Sequence, residues 1–124
     1  MYTIGTDMVD IKRLEKSSKI GNFMKRVFSE KEIAFFSKKS NPYPSMAGNW
    51  AAKEAFSKAL GTGIRGFELN EVSVLRDELG APYIELGGDA LQIAESRGLE
   101  FSVSITHTKE LAQAVVLAQE TKSL

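Results

Sequence analysis

The segment 45–60 constrains the fold most, because it is rich in alanine and is followed by Gly61-Thr62-Gly63, which predicts one long helix that ends there. Apolar side chains cover most of this helix, so we expect it to be buried. Two charged residues, Glu54 and Lys58, stand four residues apart and share one face, with Ser57 beside them. An ordinary solvated ion pair explains these charges as well as a functional role does.

A strand and two short helices are predicted before the long helix. Residues 2–9 alternate between two faces and predict a strand, on which the carboxylate of Asp7 is not favoured by strand propensity. A short basic helix is predicted from about Asp10 to Lys19. The capping box Ser29-Glu30-Lys31-Glu32 begins a helix through about Lys38.

The second half of the chain changes from a helical to an alternating pattern. Four segments predict strands: 69–76, 81–86, 99–106 and 111–119. A turn at 77–80 joins the first two, and Asp89 is predicted to cap a helix that ends at Arg97-Gly98. We therefore expect one α+β domain over residues 1–124, in which an antiparallel sheet packs on one long central helix.

Composition excludes several classes of function. The 124 residues include 16 basic and 16 acidic side chains, so the net charge predicts neither nucleic-acid nor membrane binding. The absence of cysteine excludes a disulfide framework, a thiolate metal site and thiol catalysis. The chain shows no leader pattern and no apolar run of membrane length, and we expect a soluble, cytoplasmic protein.

Five short motifs follow one another along the chain. They are a Gly-x-Asp strand followed by an arginine, an x-x-Lys-Glu-Ala-x-x-Lys-Ala helix, a Gly-x-Gly turn, a Gly-x-Pro hairpin and a Ser-x-Ser-x-Thr-His strand. Together, in a chain of this length, they resemble the 4'-phosphopantetheinyl transferases, and most closely the small bacterial class of holo-acyl-carrier-protein synthases. The resemblance spans nearly the whole chain and implies the fold of that family.

The resemblance also implies a reaction of fatty acid biosynthesis. The 4'-phosphopantetheine group of coenzyme A is transferred to a serine of apo-acyl carrier protein, and 3',5'-ADP leaves. By the same resemblance Asp7 and Glu54 match the ligands of a magnesium ion, and Lys58 matches the lysine that contacts the phosphates. These three are the predicted catalytic residues. A hard divalent cation suits a polyanionic substrate. The sequence leaves open whether Glu54 or a metal-bound water removes the serine proton.

A larger set is predicted to bind coenzyme A: Ser57, Lys58, Gly61, Gly63, Pro82, His107 and Thr108. As a motif, Gly61-Thr62-Gly63 is more typical of a helix stop than of a phosphate site. His107 is a candidate base by residue type, but the matching segment of the family lies along the coenzyme A site, so we assign it to cofactor binding. Asn49 and Trp50 stand where the family often has Arg and Phe, which puts one expected anion contact in doubt.

The segment 10–26 carries six basic residues against Asp10 and Glu15, a net charge of plus four. Such a run is ordinarily a solvated face. Through the resemblance its expected partner is an acyl carrier protein, which presents an acidic helix beside its modified serine. Arg13 is the first choice for this contact, with Lys12 and Lys16 as supporting charges.

The resemblance further implies a homotrimer with three sites at the subunit contacts. Asp7, Glu54 and Lys58 would come from one subunit and the segment 107–108 from its neighbour. Two other functions stay open at this point. One is a non-catalytic module that docks an acidic partner or RNA, and the other is a metal-dependent hydrolase of nucleotide pyrophosphates.

Overall fold

The computed structural model describes residues 1–121. In chain order the elements are β1 (Tyr2–Asp10), α1 (Ile11–Ser18), α2 (Phe23–Val27), α3 (Glu30–Ser37), α4 (Tyr43–Leu60), a 3-10 turn (Leu69–Glu71), β2 (Val72–Arg76), β3 (Pro82–Leu86), α5 (Gly88–Arg97), β4 (Leu99–His107) and β5 (Leu111–Glu120).

The strands form two antiparallel sheets. One has three strands in the order β1-β5-β4, and β2 and β3 form a separate hairpin. The central helix α4 packs mainly on β1 and β5. The predicted α+β fold, an antiparallel sheet on one long helix, is confirmed, with the difference that the strands divide into two sheets.

Small residues allow α4 to lie very close to β1. A Cβ atom at Gly5 would overlap the carbonyl oxygen of Ala55 and would lie 2.7 Å from the amide nitrogen of Ala59. The Thr3 hydroxyl donates a hydrogen bond of 2.6 Å to the carbonyl oxygen of Ala59. Because Asp7 stands two residues after Gly5, it points to the same face of the sheet, toward α4.

The beginnings of the helices show which local predictions are confirmed. At α3 the capping box is present: the Ser29 hydroxyl accepts from the Glu32 amide, and the Glu32 carboxylate accepts from the Ser29 amide. At α4 the helix begins at Tyr43, earlier than predicted, because Pro44 falls in the first turn, where proline is tolerated.

One helix was not predicted from the sequence, and two predictions are wrong. Helix α2 was not expected, because five residues without a side-chain cap carry too little periodicity to detect. The strand expected from residue 69 begins only at Val72, after the 3-10 turn. Asp89 does not cap α5; the Glu71 carboxylate, brought there by the fold, accepts from the amides of Asp89 and Ala90 at 3.2 and 3.4 Å.

Over residues 1–121, none of the helices combines the length and the apolar character needed to cross a bilayer.

Candidate active site

A cleft of about 530 Å³ opens between β1, α1 and α4. Asp7 lines it from β1, Glu54 from α4 and Arg13 from α1. The remaining lining residues are Met8, Val9, Asp10, Ser17, Trp50 and Leu111. Residues that are far apart in the sequence therefore meet at one place, because α4 packs directly on β1.

Lys58 joins this cleft through Asp7. Its Nζ lies 3.2 Å from Asp7 Oδ1 and donates a hydrogen bond of 2.9 Å to the carbonyl oxygen of Thr6. Among residues 1–121 the ion pair of Lys58 is therefore with Asp7 and not with Glu54, which does not support the interpretation of Glu54 and Lys58 as a simple helical pair. The Lys58 side chain is 56% exposed, so this ion pair is weak and its ammonium remains accessible to an anionic ligand.

The environment of Glu54 favours a cation. Partial burial raises the pKa of Glu54 above its ordinary value, and the nearby charge of Asp7 raises it further. Lys58 and the side chain of Trp50 act in the opposite direction. Two carboxylates that repel each other in a half-buried cleft are stabilised by a hard cation between them.

The donor set fits magnesium. Mg²⁺ is typically bound through one or two carboxylates and completes its octahedral shell with water and substrate phosphates. Asp7 and Glu54 are two carboxylates that would serve as such ligands. Over the described part of the chain no group of three or more His, Cys, Asp or Glu residues is arranged to hold a metal. A two-carboxylate site that needs a phosphate to complete it is the kind of site these residues can form.

The basic helix α1 starts at the edge of the same cleft. Asp10 caps α1 by accepting a hydrogen bond of 3.0 Å from the Arg13 amide, so the helix begins directly where β1 ends. Lys12, Arg13 and Lys16 are accessible from solvent, whereas Leu14 is fully buried and anchors the helix to the core. The predicted partner-binding residues therefore form an accessible positive surface next to the two carboxylates.

The predicted coenzyme A residues lie on several elements, and none of them lines the cleft within one chain. Ser57 and Gly61 lie at the end of α4, where the buried Ser57 hydroxyl donates to the carbonyl oxygen of Glu54 at 2.7 Å. Gly61 has a φ of 85° and its amide donates to the carbonyl oxygens of Ser57 and Lys58, which is a helix stop. Gly63 follows with a φ of 63°. The phosphate contacts of this turn stay a prediction.

Pro82 begins β3, whereas His107 and Thr108 lie at and after the end of β4. His107 ends β4 and lies opposite Ala112 of β5, which in turn lies opposite Val9 of β1. His107 is thus two strand spacings, about 10 Å, from the strand that carries Asp7. Both His107 and Thr108 are exposed.

A second charged cluster on α4 was missed by sequence reasoning. Lys53, next to Glu54, is completely buried and forms an ion pair of 2.6 Å with the equally buried Glu32 of α3. Burial lowers the pKa of Lys53, while Glu32 opposes that shift. Asn49, one turn earlier, is also buried and donates 2.9 Å hydrogen bonds to Glu32 and to the carbonyl oxygen of Val74. One sequence signal could have indicated this cluster. Asn49 and Lys53 stand four residues apart, on one face of a helix whose apolar composition predicts that it is buried.

Comparison with known proteins agrees with the geometry. Residues 3–120 match the family described as the 4'-phosphopantetheinyl transferase superfamily. The chain belongs to this superfamily and is therefore an enzyme of the transferase class, so the non-catalytic binding module is wrong.

Within this superfamily, the chain is similar to proteins named holo-[acyl-carrier-protein] synthase. The holo-[acyl-carrier-protein] synthase of Caldanaerobacter subterraneus subsp. tengcongensis is 43% identical over 117 residues, which are 93% of this chain and 92% of the relative. The crystal structure of the Neisseria meningitidis synthase matches with a TM-score of 0.88 and 34% identity, covering 95% of this chain and 98% of that one. A complex of the Chronobacterium ammoniagenes synthase with coenzyme A matches with a TM-score of 0.84 and 32% identity, covering 98% and 99%.

Proposed function

We propose that this protein is a holo-acyl-carrier-protein synthase, which transfers 4'-phosphopantetheine from coenzyme A to a serine of apo-acyl carrier protein. The observation that carries the proposal is the meeting of Asp7, Glu54 and Lys58 beside the positive surface of α1, in a chain of this superfamily. The cleft combines a place for a polyanion with a surface for an acidic protein.

In the reaction, the serine oxygen forms a bond to the β-phosphorus of coenzyme A, and the bond from this phosphorus to the oxygen of 3',5'-ADP breaks. A magnesium ion held by Asp7 and Glu54 would neutralise the negative charge on the pyrophosphate. The accessible ammonium of Lys58 adds positive charge for the same phosphates. Glu54 is the candidate to receive the serine proton, because it lines the cleft from α4, beside the surface of α1.

The surface of the three-stranded sheet supports a homotrimer. On the side away from α4, β1 exposes Ile4 at 67% and Met8 at 55%, and β5 exposes Val115 at 42%. Such an apolar face is typical of a subunit contact. A neighbouring subunit at this face could bring its His107 and Thr108 toward the cleft, which they do not reach within one chain. A sedimentation measurement that finds a fully active monomer would overturn this part of the proposal.

The positive surface supports docking of the carrier protein. The accessible Lys12, Arg13 and Lys16 form no ion pair within residues 1–121. They would attract an acidic helix and orient it so that its serine approaches Glu54. We also propose the cytoplasm as the place of action, which fits a chain without cysteine.

One experiment separates transfer from hydrolysis of the pyrophosphate. The protein is incubated with coenzyme A and magnesium, with and without apo-acyl carrier protein, and 3',5'-ADP is measured. We expect 3',5'-ADP only when the carrier is present, with an equal amount of holo-carrier. Release of 3',5'-ADP without carrier would favour the hydrolase instead. Glu54→Gln should reduce the rate of 3',5'-ADP release by about 100-fold or more, whereas the matched variant Glu78→Gln on the exposed hairpin turn should not change it.

A further inference from the structure

The buried cluster on α4 uses every hydrogen-bonding group of Lys53. Its ammonium donates to Glu32 Oε1 at 2.6 Å, to the carbonyl oxygen of Leu69 at 3.0 Å and to the carbonyl oxygen of Val72. An ammonium has three donors, so all of them are satisfied. Lys53 thereby ties α4 to α3, to the 3-10 turn and to the start of β2.

Glu32 and Asn49 complete the cluster. Glu32 Oε1 also accepts from the Ser29 amide at 3.0 Å, and Oε2 accepts from the Asn49 amide group at 2.9 Å. The side-chain oxygen Oδ1 of Asn49 accepts a hydrogen bond of 2.9 Å from the Arg76 guanidinium. Within residues 1–121 no buried side-chain polar atom lacks a partner. A network this complete has a single low-energy arrangement, because shifting any member leaves a buried polar group unpaired.

The network contacts α4 on one side, and β1 contacts it on another side. Successive residues of an α-helix point about 100° apart. Lys53 and Ala55 therefore point to nearly opposite sides, and Glu54 lies between them, toward the cleft. Ala55 is the residue whose carbonyl oxygen lies against Gly5 of β1. The direction of the Glu54 side chain is thus fixed by contacts of the residues directly before and after it.

Stability alone is a poor explanation for the buried ions. Replacing a buried ion pair by apolar residues of similar size is often neutral or stabilising. We propose that the Glu32–Lys53–Asn49 network is a positioning device, which sets the rotation of α4 about its axis and holds the Glu54 carboxylate at the distance from Asp7 that a shared cation requires. This inference rests on the proposed role of Glu54.

The test uses a neutral pair in place of the ions. The double variant Glu32→Gln/Lys53→Met removes both charges, and the amide side chain introduced by Glu32→Gln keeps an oxygen for the Ser29 amide. The matched control is Lys31→Met/Glu85→Gln, which removes an ion pair of the same 2.6 Å length between the neighbouring elements α3 and β3, where it is largely exposed. Unfolding followed by circular dichroism, kcat, the KM for carrier and the magnesium affinity are measured for each.

We expect the double variant to fold and to lose about 10-fold or more in kcat, because small misplacements of a reacting group are costly. Its magnesium affinity, measured by calorimetry with 3',5'-ADP present, should fall several-fold. The KM for carrier should stay within about twofold, since α1 is untouched. The control should match the parent in all four measurements. A folded double variant with parental kcat and parental magnesium affinity would overturn the proposal.

A second variant decides the case if the double variant does not fold. Lys53→Arg keeps a buried positive charge, but its planar guanidinium cannot place donors on the same three oxygens. It should therefore fold and show the same losses of kcat and magnesium affinity. A Lys53→Arg protein with parental values would overturn the proposal. If the parent itself transfers no phosphopantetheine, the proposed function fails, and the calorimetric comparison of magnesium affinity still tests the positioning role.

Discussion

Two charged sites lie one residue apart on α4 and differ in almost every physical respect. Around Lys53 the charges are fully buried, opposite in sign and completely hydrogen-bonded. Around Glu54 they are partly exposed, and two of the three are carboxylates that repel each other. The first arrangement is complete without a ligand, whereas a bound cation would stabilise the second. On one helix, the charges around Lys53 therefore serve the structure, whereas those around Glu54 are suited to binding a ligand.

This difference shows how a small enzyme keeps an electrostatically unfavourable site. A half-buried pair of like charges costs stability, and the cost is tolerated only where the surrounding structure is rigid. The Lys53 network and the close contact between Gly5 and Ala55 provide that rigidity on both sides of Glu54.

The largest effect is expected on the buried side. Lys53→Ala leaves the Glu32 carboxylate buried without its partner, which should lower the free energy of unfolding by about 3–5 kcal/mol. Urea denaturation of parent and variant measures this. A loss below about 1 kcal/mol would mean that the pair is not as buried as described.

On the exposed side, Glu54→Gln should reduce the transfer rate by about 100- to 1000-fold at saturating magnesium, because an essential charge is lost. Asp7→Ala should behave similarly. Without magnesium, neither variant should be less stable than the parent by more than about 1 kcal/mol, since repulsion is relieved and only a weak ion pair is lost. Near-parental activity of either variant would rule out the metal site.

Gly5→Ala tests the contact between the strand and the helix. A methyl group there meets backbone atoms of α4, which cannot move aside as a flexible side chain can, so we expect a loss of about 1–3 kcal/mol in stability. Because β1 also carries Asp7, kcat should fall along with stability. Stability and kcat equal to those of the parent would show that β1 and α4 do not pack as closely as described.

Arg13→Glu tests the docking surface. It should raise the KM for carrier by about 10-fold and leave the KM for coenzyme A within about twofold. Arg13→Ala should have a smaller effect, because repulsion is then absent. Raising salt to about 0.15 M should weaken carrier recognition in the parent more than coenzyme A binding, since exposed charges are screened. If Arg13→Glu and salt changed the KM for carrier and the KM for coenzyme A equally, α1 would be an ordinary solvated surface and not a docking site.

The smallest effect concerns pH. The pKa of Glu54 is raised above 4.5 in the folded protein, so the folded state binds this proton more tightly than the unfolded state. Without magnesium, the parent should therefore lose stability relative to Glu54→Gln as pH rises from about 4 through the raised pKa. Urea midpoints at several pH values measure the difference. A difference that does not change with pH would contradict the raised pKa.

Much of the fold was predictable from local patterns. Alternation and capping located the strands and most helices, because these signals lie within a few residues of each other. Helix α2 was missed because its position depends on a distant contact: Phe23 packs edge-to-face against Trp50 with ring centroids 5.2 Å apart. The cap of α5 was misassigned for the same reason, since Glu71 is 18 residues away from Asp89 in the chain.

The site was predictable in a different way. Asp7 and Glu54 were expected together because of the family resemblance, and no periodicity relates a strand residue to a helix residue so far away. The buried state of Lys53 was not predicted, because a lysine is almost always exposed unless it is paired, and its partner Glu32 belongs to another helix. The burial of Lys53 can therefore be recognised only from the tertiary structure.

The most direct test of the central claim is the intact mass of an apo-acyl carrier protein after incubation with coenzyme A, magnesium and the protein. We expect a shift by one phosphopantetheine group with the parent and with Glu78→Gln, and no detectable shift on the same time scale with Glu54→Gln. An unmodified carrier with the parent, or an equal shift with Glu54→Gln, would contradict this expectation.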